Sequence, residues 1–540
     1  MLPFNSEMRQ ECNMLHKVTI LPDSSGSIGL AGHWVELVYS ISFLHDATRP
    51  ALLMTDSVGA MRRELIPAPV LGRAVWIGLI PHGTSHVSIE SRVPLRLDRV
   101  TPRSLIWRFI TACMRHPRHA LAAAVLFALG RQTRSQRRFM RALTERSFAG
   151  YAAWAGSRRR VHDPETLDRP STEALNLRDE IEAELSPGET LMPYALDAVA
   201  TAFAENTAIT AIQGDSEISA SPAPAAGFAS AWTPSQGAIF RRRGAIGGSP
   251  RHLRRILTVH GPKFVKGLDV EIPAVWPKVM VIVPTRDRLD LLTICVNGVL
   301  EKTEYPSLEL TIADNDSTDP ATQAYLQALP ARDYRARVIA CPGVFNFSNI
   351  CNRAAFATEG DVIVFLNNDI SVTDSSWLKS LVALAISPQT GAVGPTLLFP
   401  NGRIQHAGVA LGAGGTAGHI LAGKKLSALE NIRGARRVSA VTGACLVVRR
   451  DLFEAVGGFD PAFAVAYNDI DLCLRLGARG WGAIWSPEAA LTHLESASRG
   501  SAFSDEAATK LFRERWASAI ADDPFFHPAF SSAALDLSLG

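Results

Sequence analysis

None of the seven cysteines, Cys12, Cys113, Cys295, Cys341, Cys351, Cys445 and Cys473, stands in CxxC spacing, and their number is odd. This argues against a disulfide framework and against a cysteine-built zinc site. Several sit inside apolar runs and read as buried free thiols, which fits a reducing, cytoplasmic compartment. Long apolar runs are lacking too. The longest, Ala120 to Leu129, is too short to span a bilayer. The opening MLPFNSEMRQ carries acidic and polar groups where a signal peptide would have its apolar core, so no secretory leader is expected. Charge of one sign is also missing. The formal net charge is only +3, so the chain as a whole does not read as a nucleic-acid binder. Gly412, Gly414, Gly415 and Gly418 do not follow a strand–helix pattern, which excludes a dinucleotide fingerprint there.

What is present is a chain of 540 residues, 47% apolar and 20% charged, enough for two to four domains with real cores. Residues 1–105 read as a β-rich accessory domain. HKVTI, HWVELVYSISF, AVWIGLI and HVSIESRVPLRL are strand-like runs separated by Gly, Pro, Asp and Ser. Residues 106–274 form a basic helical region followed by a linker-like stretch. Between 101 and 160 there are thirteen arginines and one acid, Glu145, around HALAAAVLFALG. This composition suits a basic helical hairpin on an anionic membrane surface, with residues 103–160 making the contact. It equally suits a packed helix pair with a solvated basic face. LRDEIEAEL and MPYALDAVATAFAEN have helical spacing, and ISASPAPAAGFASAW reads as a loop.

Residues 275–530 carry an α/β pattern. VMVIVPT is an unbroken β-branched run of the kind buried in a parallel sheet, and LELTIADND, RARVIACP and DVIVFLNND follow as further strands. Three of these runs end in polar groups: Thr285-Arg286-Asp287, Asp314-Asn315-Asp316 and Asn367-Asn368-Asp369. In open parallel sheets ligands bind beyond the carboxyl ends of the strands, so these groups are expected at one edge. Asp369 could hold Mg or Mn, hard cations for which few protein ligands suffice when phosphates and water complete the shell. Taken alone, the tripeptide is also what a turn after a strand looks like. Asn468-Asp469-Ile470-Asp471 opens a helical run. Asn468 reads as its N-cap and Asp469 falls in the first turn, where the helix dipole keeps a carboxylate ionised and able to accept a proton. Asp471 lies on another side of the helix, in reach of Arg475 at i+4. Both acids could equally serve only to cap and charge the helix end. His493 follows the strand-like GAIWSPEAALT. A lone histidine of this kind is more often structural, unless it faces Asp369.

Read together, the ordered segments VIVPTRDRLDLL, IADNDSTD, FNFSNICNRAAFATEGDVIVFLNNDI, GRIQHAGVALG, AVTGACLVVRRDLFEAVGGFD, AYNDIDLCLRLGARGW and LTHLESASRG resemble family 2 glycosyltransferases of the GT-A fold type. The nearest branch is that of bacterial surface-polysaccharide enzymes, rhamnosyltransferase-like members included. DDPFFHPAF is similar to the family's closing segment. The resemblance implies a mixed, mostly parallel sheet with flanking helices. It also implies a nucleotide-sugar donor, a divalent metal (Mn or Mg), a glycan or lipid-linked glycan acceptor, and inversion at the anomeric carbon. By the same resemblance Pro284, Thr285 and Arg286 meet the nucleotide. Asp314 and Asn315 contact base or ribose, and Asn352 and Arg353 shape the donor pocket. Asn367, Asn368 and Asp369 match the DxD metal motif, with Asn replacing its first acid. Asp469 matches the catalytic base, with Asn468 in place of the usual Glu and Asp471 as a supporting acid. His493 matches a late histidine near metal and diphosphate. The segment from YALDAVATAFAEN onward is similar to a piece of a first transferase domain in tandem family members, here without its opening strand. Two rivals remain. One is a non-catalytic glycan-binding or scaffold protein, motivated by Asn at two customary acid positions. The other is a nucleotidyltransferase, which would need a Gly-rich loop that PTRDRLD does not offer.

Overall fold

In the computed structural model the described residues are 16–20, 30–145, 168–185, 189–218, 238–243, 245, 251–260, 270–412, 416–429, 434–494, 505–526, 530–531 and 535. The chain divides into two compact units, Met1–Val265 with His527–Gly540, and Lys266–Phe526.

In the first unit, alternating runs form two antiparallel sheets. Four strands order as His16–Thr19, Thr84–Ser91, Ala51–Asp56 and Met61–Leu65, and three as Arg73–Leu79, Trp34–Ile41 and Leu95–Pro102. Val35, Leu37, Tyr39, Leu52 and Ile89 share one core. The buried Glu36 is reached by Arg99 and Arg103. Burial alone would raise its pKa, but the two guanidiniums outweigh that and hold the carboxyl low.

Three helices follow: Leu105–Arg115, Pro117–Ala128 and Gln132–Thr144. Ser104 caps the first, accepting from the Trp107 N–H, and Pro117 starts the second, where its missing N–H is harmless. Their shared core is small, centred on Ala112, Ala120, Ala142 and Leu143. Ile106, Met114, Leu121 and Phe127 face outward, each at least 67% exposed. Of the basic stretch read from the sequence, residues 146–160 lie outside the described part.

Farther on, the helix Ala195–Glu205 covers a five-stranded sheet in which Ala211–Ile218 runs parallel to Arg251–His260. The helical spacing of LRDEIEAEL is misleading. Helix ends at Leu177, and Ile181–Glu184 is a strand paired antiparallel with Ile239–Arg242. The tertiary pairing overrides a weak local preference. The loop expected at ISASPAPAAGFASAW lies almost wholly outside the described residues, as do Cys12 and parts of LTHLESASRG and DDPFFHPAF.

The second unit is built on one mixed sheet. We number its strands β1 (Val279–Thr285), β2 (Leu308–Asp314), β3 (Ala336–Ala340), β4 (Val362–Leu366), β5 (Ile370–Ser371), β6 (Thr390–Leu398), β7 (Ile404–His406), β8 (Val409–Leu411), β9 (Ala417–His419), β10 (Arg436–Val438), β11 (Cys445–Arg449) and β12 (Gly482–His493). The order is β3-β2-β1-β4-β11-β6-β12-β5, with β7 on β6 and β10 on β12, while β8 and β9 form a separate hairpin. β3, β2, β1 and β4 are parallel; β11 is antiparallel to both neighbours. The helices are α1 (Leu289–Glu301), α2 (Pro320–Arg332), α3 (Phe347–Phe356), α4 (Trp377–Ala385), α5 (Arg450–Ala455), α6 (Asn468–Gly477), α7 (Glu506–Arg515) and the short α8 (Ala517–Ala521). The β-branched runs of β1, β2 and β4 are buried because helices cover the sheet, with Val281, Leu310, Val364 and Trp377 in its core. Cys295, Cys341, Cys351, Cys445 and Cys473 are buried free thiols. Burial pushes that of Cys473 up to about 12. Among the described residues no helix is long and apolar enough to cross a membrane.

Candidate active site

The strand ends meet as their sequence suggests. Thr285 is in register with Asp314, and the Asn315 N–H donates to the Thr285 carbonyl at 2.9 Å. Asn368, beyond β4, donates from Nδ2 to Thr285 Oγ1 at 2.9 Å, which ties the third strand end to the first. Asp314 accepts from the Ser317 N–H and hydroxyl. Asn315 is buried; its Nδ2 donates to the Cys341 and Gly343 carbonyls, and its Oδ1 has no hydrogen-bond partner. Pro284 is half-buried in β1 and Arg286 is exposed beyond it. Asp287 and Arg288 then take positive φ, 54° and 56°, a costly conformation for non-glycine residues that marks a shaped loop. Asp287 accepts from the Asp319 and Thr318 N–H groups at 2.8 and 2.7 Å, and the Asp319 bond first of all holds its carboxyl below the usual range.

Asp369 is placed by backbone pairing. Ile370 of β5 is opposite His493 of β12, and the Leu494 N–H donates to the Asp369 carbonyl at 2.8 Å. This brings His493 Nε2 to 2.9 Å from Asp369 Oδ1. The two are not aligned for a hydrogen bond, and Oδ1 is a buried acceptor without one. On the other side of the ring, His493 Nδ1 lies 2.6 Å from Gln405 Oε1, so the hydrogen of a neutral imidazole sits on Nδ1. Nε2 and Oδ1 therefore present lone pairs to each other, an arrangement that a cation between them would relieve. Ligands at right angles around an octahedral Mg, at about 2.1 Å each, stand about 3 Å apart. The pair thus fits a divalent cation whose remaining positions are filled by phosphate oxygens and water. Among the described residues no group of three or more His, Cys, Asp or Glu side chains converges on one point.

Asp469 stands at the start of α6. Its Oδ2 accepts the Gly443 N–H at 2.7 Å and its Oδ1 the Ile470 N–H at 2.8 Å. Gly443 packs closely on it: a Cβ there would lie 3.3 Å from that of Asp469. The neighbouring Ala444 carbonyl accepts the Asn367 N–H at 2.9 Å. Gly443-Ala444 is therefore the bridge between the α6 carboxylate and the Asn-Asn-Asp turn. Asp471 is fully buried and saturated: Arg475 Nε at 2.6 Å, Arg515 at 2.9 Å and Trp516 Nε1 at 3.0 Å. The i+4 pairing with Arg475 expected from the sequence is present, and it leaves Asp469 as the acid at this helix end that, among the described residues, no cation neutralises in a salt bridge.

The sequence model of Glycosyl transferase family 2 matches residues 280–457. An N-acetylglucosaminyl-diphospho-decaprenol L-rhamnosyltransferase of Mycobacterium tuberculosis is 30% identical over 223 residues, which are 37% of this chain and 70% of that protein. This chain belongs to glycosyltransferase family 2. The O-antigen biosynthesis protein RfbC of Myxococcus xanthus is 39% identical over 49% of this chain, and the uncharacterized protein y4gI of Sinorhizobium fredii 37% identical over 51%. The chain spans only 21% and 32% of those two relatives. Among solved structures, the mannosyltransferase PcManGT from Pyrobaculum calidifontis, in complex with GDP-Man and Mn2+, aligns with TM-score 0.35 and 20% identity over 49% of this chain and 70% of its own. The crystal structure of GalNAc-T7 with UDP, GalNAc and Mn2+ aligns with TM-score 0.36 and 14% identity over 44% and 45%.

Within this family 2 chain, a GT-A type sheet positions most of the residues named from the sequence at one edge. One departs from its expected role. Asn468 is not the N-cap of α6. Tyr467 holds that position with φ 65°, and Asn468 is the first helical residue, its Oδ1 accepting the Asp469 N–H and its Nδ2 donating to the Val465 carbonyl. Asn352 bonds the Phe459 backbone at 2.8 Å in both directions, which ties α3 to that segment. Arg353 is exposed on the same helix. Gln405 and Gly443 went unnoticed in the sequence. Gln405 sits in a three-residue strand too short to show a period, and no local pattern marks a glycine whose role is to donate its N–H.

Proposed function

We propose that the unit Lys266–Phe526 is an inverting, metal-dependent sugar transferase that takes a nucleotide-sugar as donor. The observation that carries this reading is the Gly443-Ala444 bridge, which sets an unneutralised carboxylate, Asp469, beside the turn that presents Asp369 to His493. Asp369 and His493 would hold the divalent cation, which supplies charge neutralisation for the departing diphosphate. The edge formed by Pro284, Thr285, Arg286, Asp314 and Asn315 receives the nucleotide. Asp469 accepts the proton of the acceptor hydroxyl as its oxygen bonds to the anomeric carbon, and the bond to the diphosphate breaks on the opposite face. The relatives named for O-antigen biosynthesis and for rhamnosyl transfer to a decaprenol-linked sugar support a deoxyhexosyl or hexosyl donor and a lipid-linked glycan acceptor in surface-polysaccharide synthesis. The test is a thermal-shift screen of UDP-, GDP- and dTDP-sugars with and without manganese. A true donor at 100 times its Kd stabilises the fold by about 2.7 kcal/mol. No shift with any donor in the presence of manganese overturns the reading.

A lipid-linked acceptor calls for a protein that works at a membrane, here the cytoplasmic face. The three-helix segment of the first unit supports peripheral attachment. Leu105, Ile106, Phe109, Met114, Leu121 and Phe127 are exposed on it. Residues 103–145 hold nine arginines against one acid, the paired Glu145. Exposed apolar side chains beside arginines match an interfacial surface on anionic lipid. Co-sedimentation with vesicles is expected to require anionic lipid and to weaken with salt, as screening shortens the reach of the charges. Equal recovery from neutral vesicles overturns the proposal.

A further inference from the structure

The reading above leaves a second histidine couple unused. His406, ending β7, and His419, ending β9, have Nδ1 atoms 2.8 Å apart and rings set edge to face. His406 is wholly buried, and its Nε2 accepts the Gly408 N–H at 3.3 Å. Gly408 has φ +90°, and a Cβ there would fall 2.7 Å from Val438, so the turn that aims this N–H back at the ring is reserved for glycine.

These contacts fix where the protons are. A ring nitrogen that accepts a hydrogen bond carries no hydrogen, so neutral His406 has its hydrogen on Nδ1 and donates it to His419. Nδ1 of His419 is then the acceptor, and neutral His419 carries its hydrogen on Nε2. The chain from Gly408 through His406 leaves one outward group, the Nε2–H of His419. Both rings are held neutral. Burial, then the His419 ring, keeps His406 well below its ordinary pKa. His419 is lowered by packing first, although its residue keeps an open edge; the Asp469 carboxylate pulls the other way and His493 adds to the lowering. The couple is also tied to the site by contact: Gln405, the residue before His406, has its Oε1 2.6 Å from His493 Nδ1. The hairpin is tied to the same helix start, because the Thr416 hydroxyl lies 3.4 Å from Oη of Tyr467, the N-cap residue of α6.

In an in-line displacement the reacting carbon lies between the group that takes the nucleophile's proton and the group that holds the leaving diphosphate. A side chain tied by contacts to the His493 side through His406 and Gln405, and to the Asp469 helix start through Thr416 and Tyr467, flanks the sugar in transit. We infer that His419 donates a hydrogen bond from Nε2–H to a hydroxyl of the transferred sugar and so takes part in choosing the donor. This rests on the transferase reading. With Nδ1 occupied by His406 and Nε2 already protonated, His419 has no site for the acceptor's proton, which leaves that role to Asp469.

The test uses the full chain, whichever UDP-, GDP- or dTDP-sugar supports turnover, its deoxy analogues and the bare nucleoside diphosphate. His419→Ala is expected to lower kcat/KM by about 10- to 100-fold, the range for a lost hydrogen bond that strands a buried partner. Affinity for the bare nucleoside diphosphate should not change. His419→Gln, which keeps an N–H at similar reach, should recover part of the loss even if the alanine variant folds poorly. One deoxy donor should cost the wild type as much as His419→Ala does and cost that variant nothing further. Wild-type rates in both His419 variants, beside a dead Asp469→Asn, overturn the assignment alone. So does a loss shared equally by the bare nucleotide. A wild type inactive with every donor overturns the transferase reading and this inference together.

Discussion

Replacing Asp469 with asparagine is expected to cut sugar transfer by about 100- to 10,000-fold, the usual contribution of a general base, while donor affinity stays near the wild-type value. The substitution keeps the shape and one acceptor oxygen, and it removes the charge together with one of the two bonds from the Gly443 and Ile470 N–H groups. Asp469 sits in the first turn of α6. Its two hydrogen bonds both come from backbone N–H groups, which orient the carboxylate without neutralising it. Asp471 is the control. It is fully buried, and its oxygens are committed to Arg475, Arg515 and Trp516. Asp471→Asn removes the charge that two guanidiniums are paired with, and breaking such a buried pair typically costs about 3–5 kcal/mol. Its effect should appear as a lowered melting temperature, and Asp469→Asn should melt like the wild type. Lost turnover in a well-folded Asp471→Asn, with Asp469→Asn active, reverses the two roles.

How far the sequence reaches can be judged residue by residue. β1, β2 and β4 announce themselves, because burial on both faces demands an unbroken apolar run and the polar residues after it must then stand at one edge. Thr285, Asp314, Asn315 and Asn368 were found in this way. The pairing of Asp369 with His493 was not derivable from spacing. It depends on β5, a two-residue strand that has no period to read, lying against the end of β12. The same holds for His406 and His419, which meet through three-residue strands. The Asn468 N-cap failed for a different reason. Asn is a favoured cap, but Tyr467 takes a left-handed conformation that stacks its ring on Phe512, and this tertiary contact starts the helix one residue earlier than the capping preference suggests. LRDEIEAEL failed because a short polar segment follows its strand partner, not its own periodicity.

Asp369→Ala is expected to abolish the manganese-dependent part of donor binding without unfolding the protein. The two halves of this prediction rest on different atoms. What positions residue 369 is its backbone, whose carbonyl accepts the Leu494 N–H, and the β5–β12 pairing that begins at the next residue. Alanine preserves both. What the side chain contributes to stability is small, because among the described residues Oδ1 is buried without a hydrogen bond, 2.9 Å from Nε2 of His493. A buried acceptor in that state costs free energy. Removing it should leave the melting temperature of the metal-free protein unchanged or slightly raised. The function of the carboxylate lies in the cation it helps to hold. Loss of residues that merely orient metal ligands costs about 10- to 100-fold in metal affinity, and loss of a direct ligand should cost at least as much. The measurement is calorimetric titration of manganese and of the nucleotide-sugar, each with and without the other. In the wild type the two should bind with positive coupling, since the cation completes its shell with diphosphate oxygens. In Asp369→Ala that coupling should vanish, with residual affinity equal to the metal-free value. A His493→Gln variant should behave similarly if both side chains share the ion, whereas a purely structural His493 would lower stability and leave the coupling intact. Undiminished manganese dependence in a folded Asp369→Ala protein rules this carboxylate out as the metal ligand and moves the cation, if there is one, elsewhere on the strand edge.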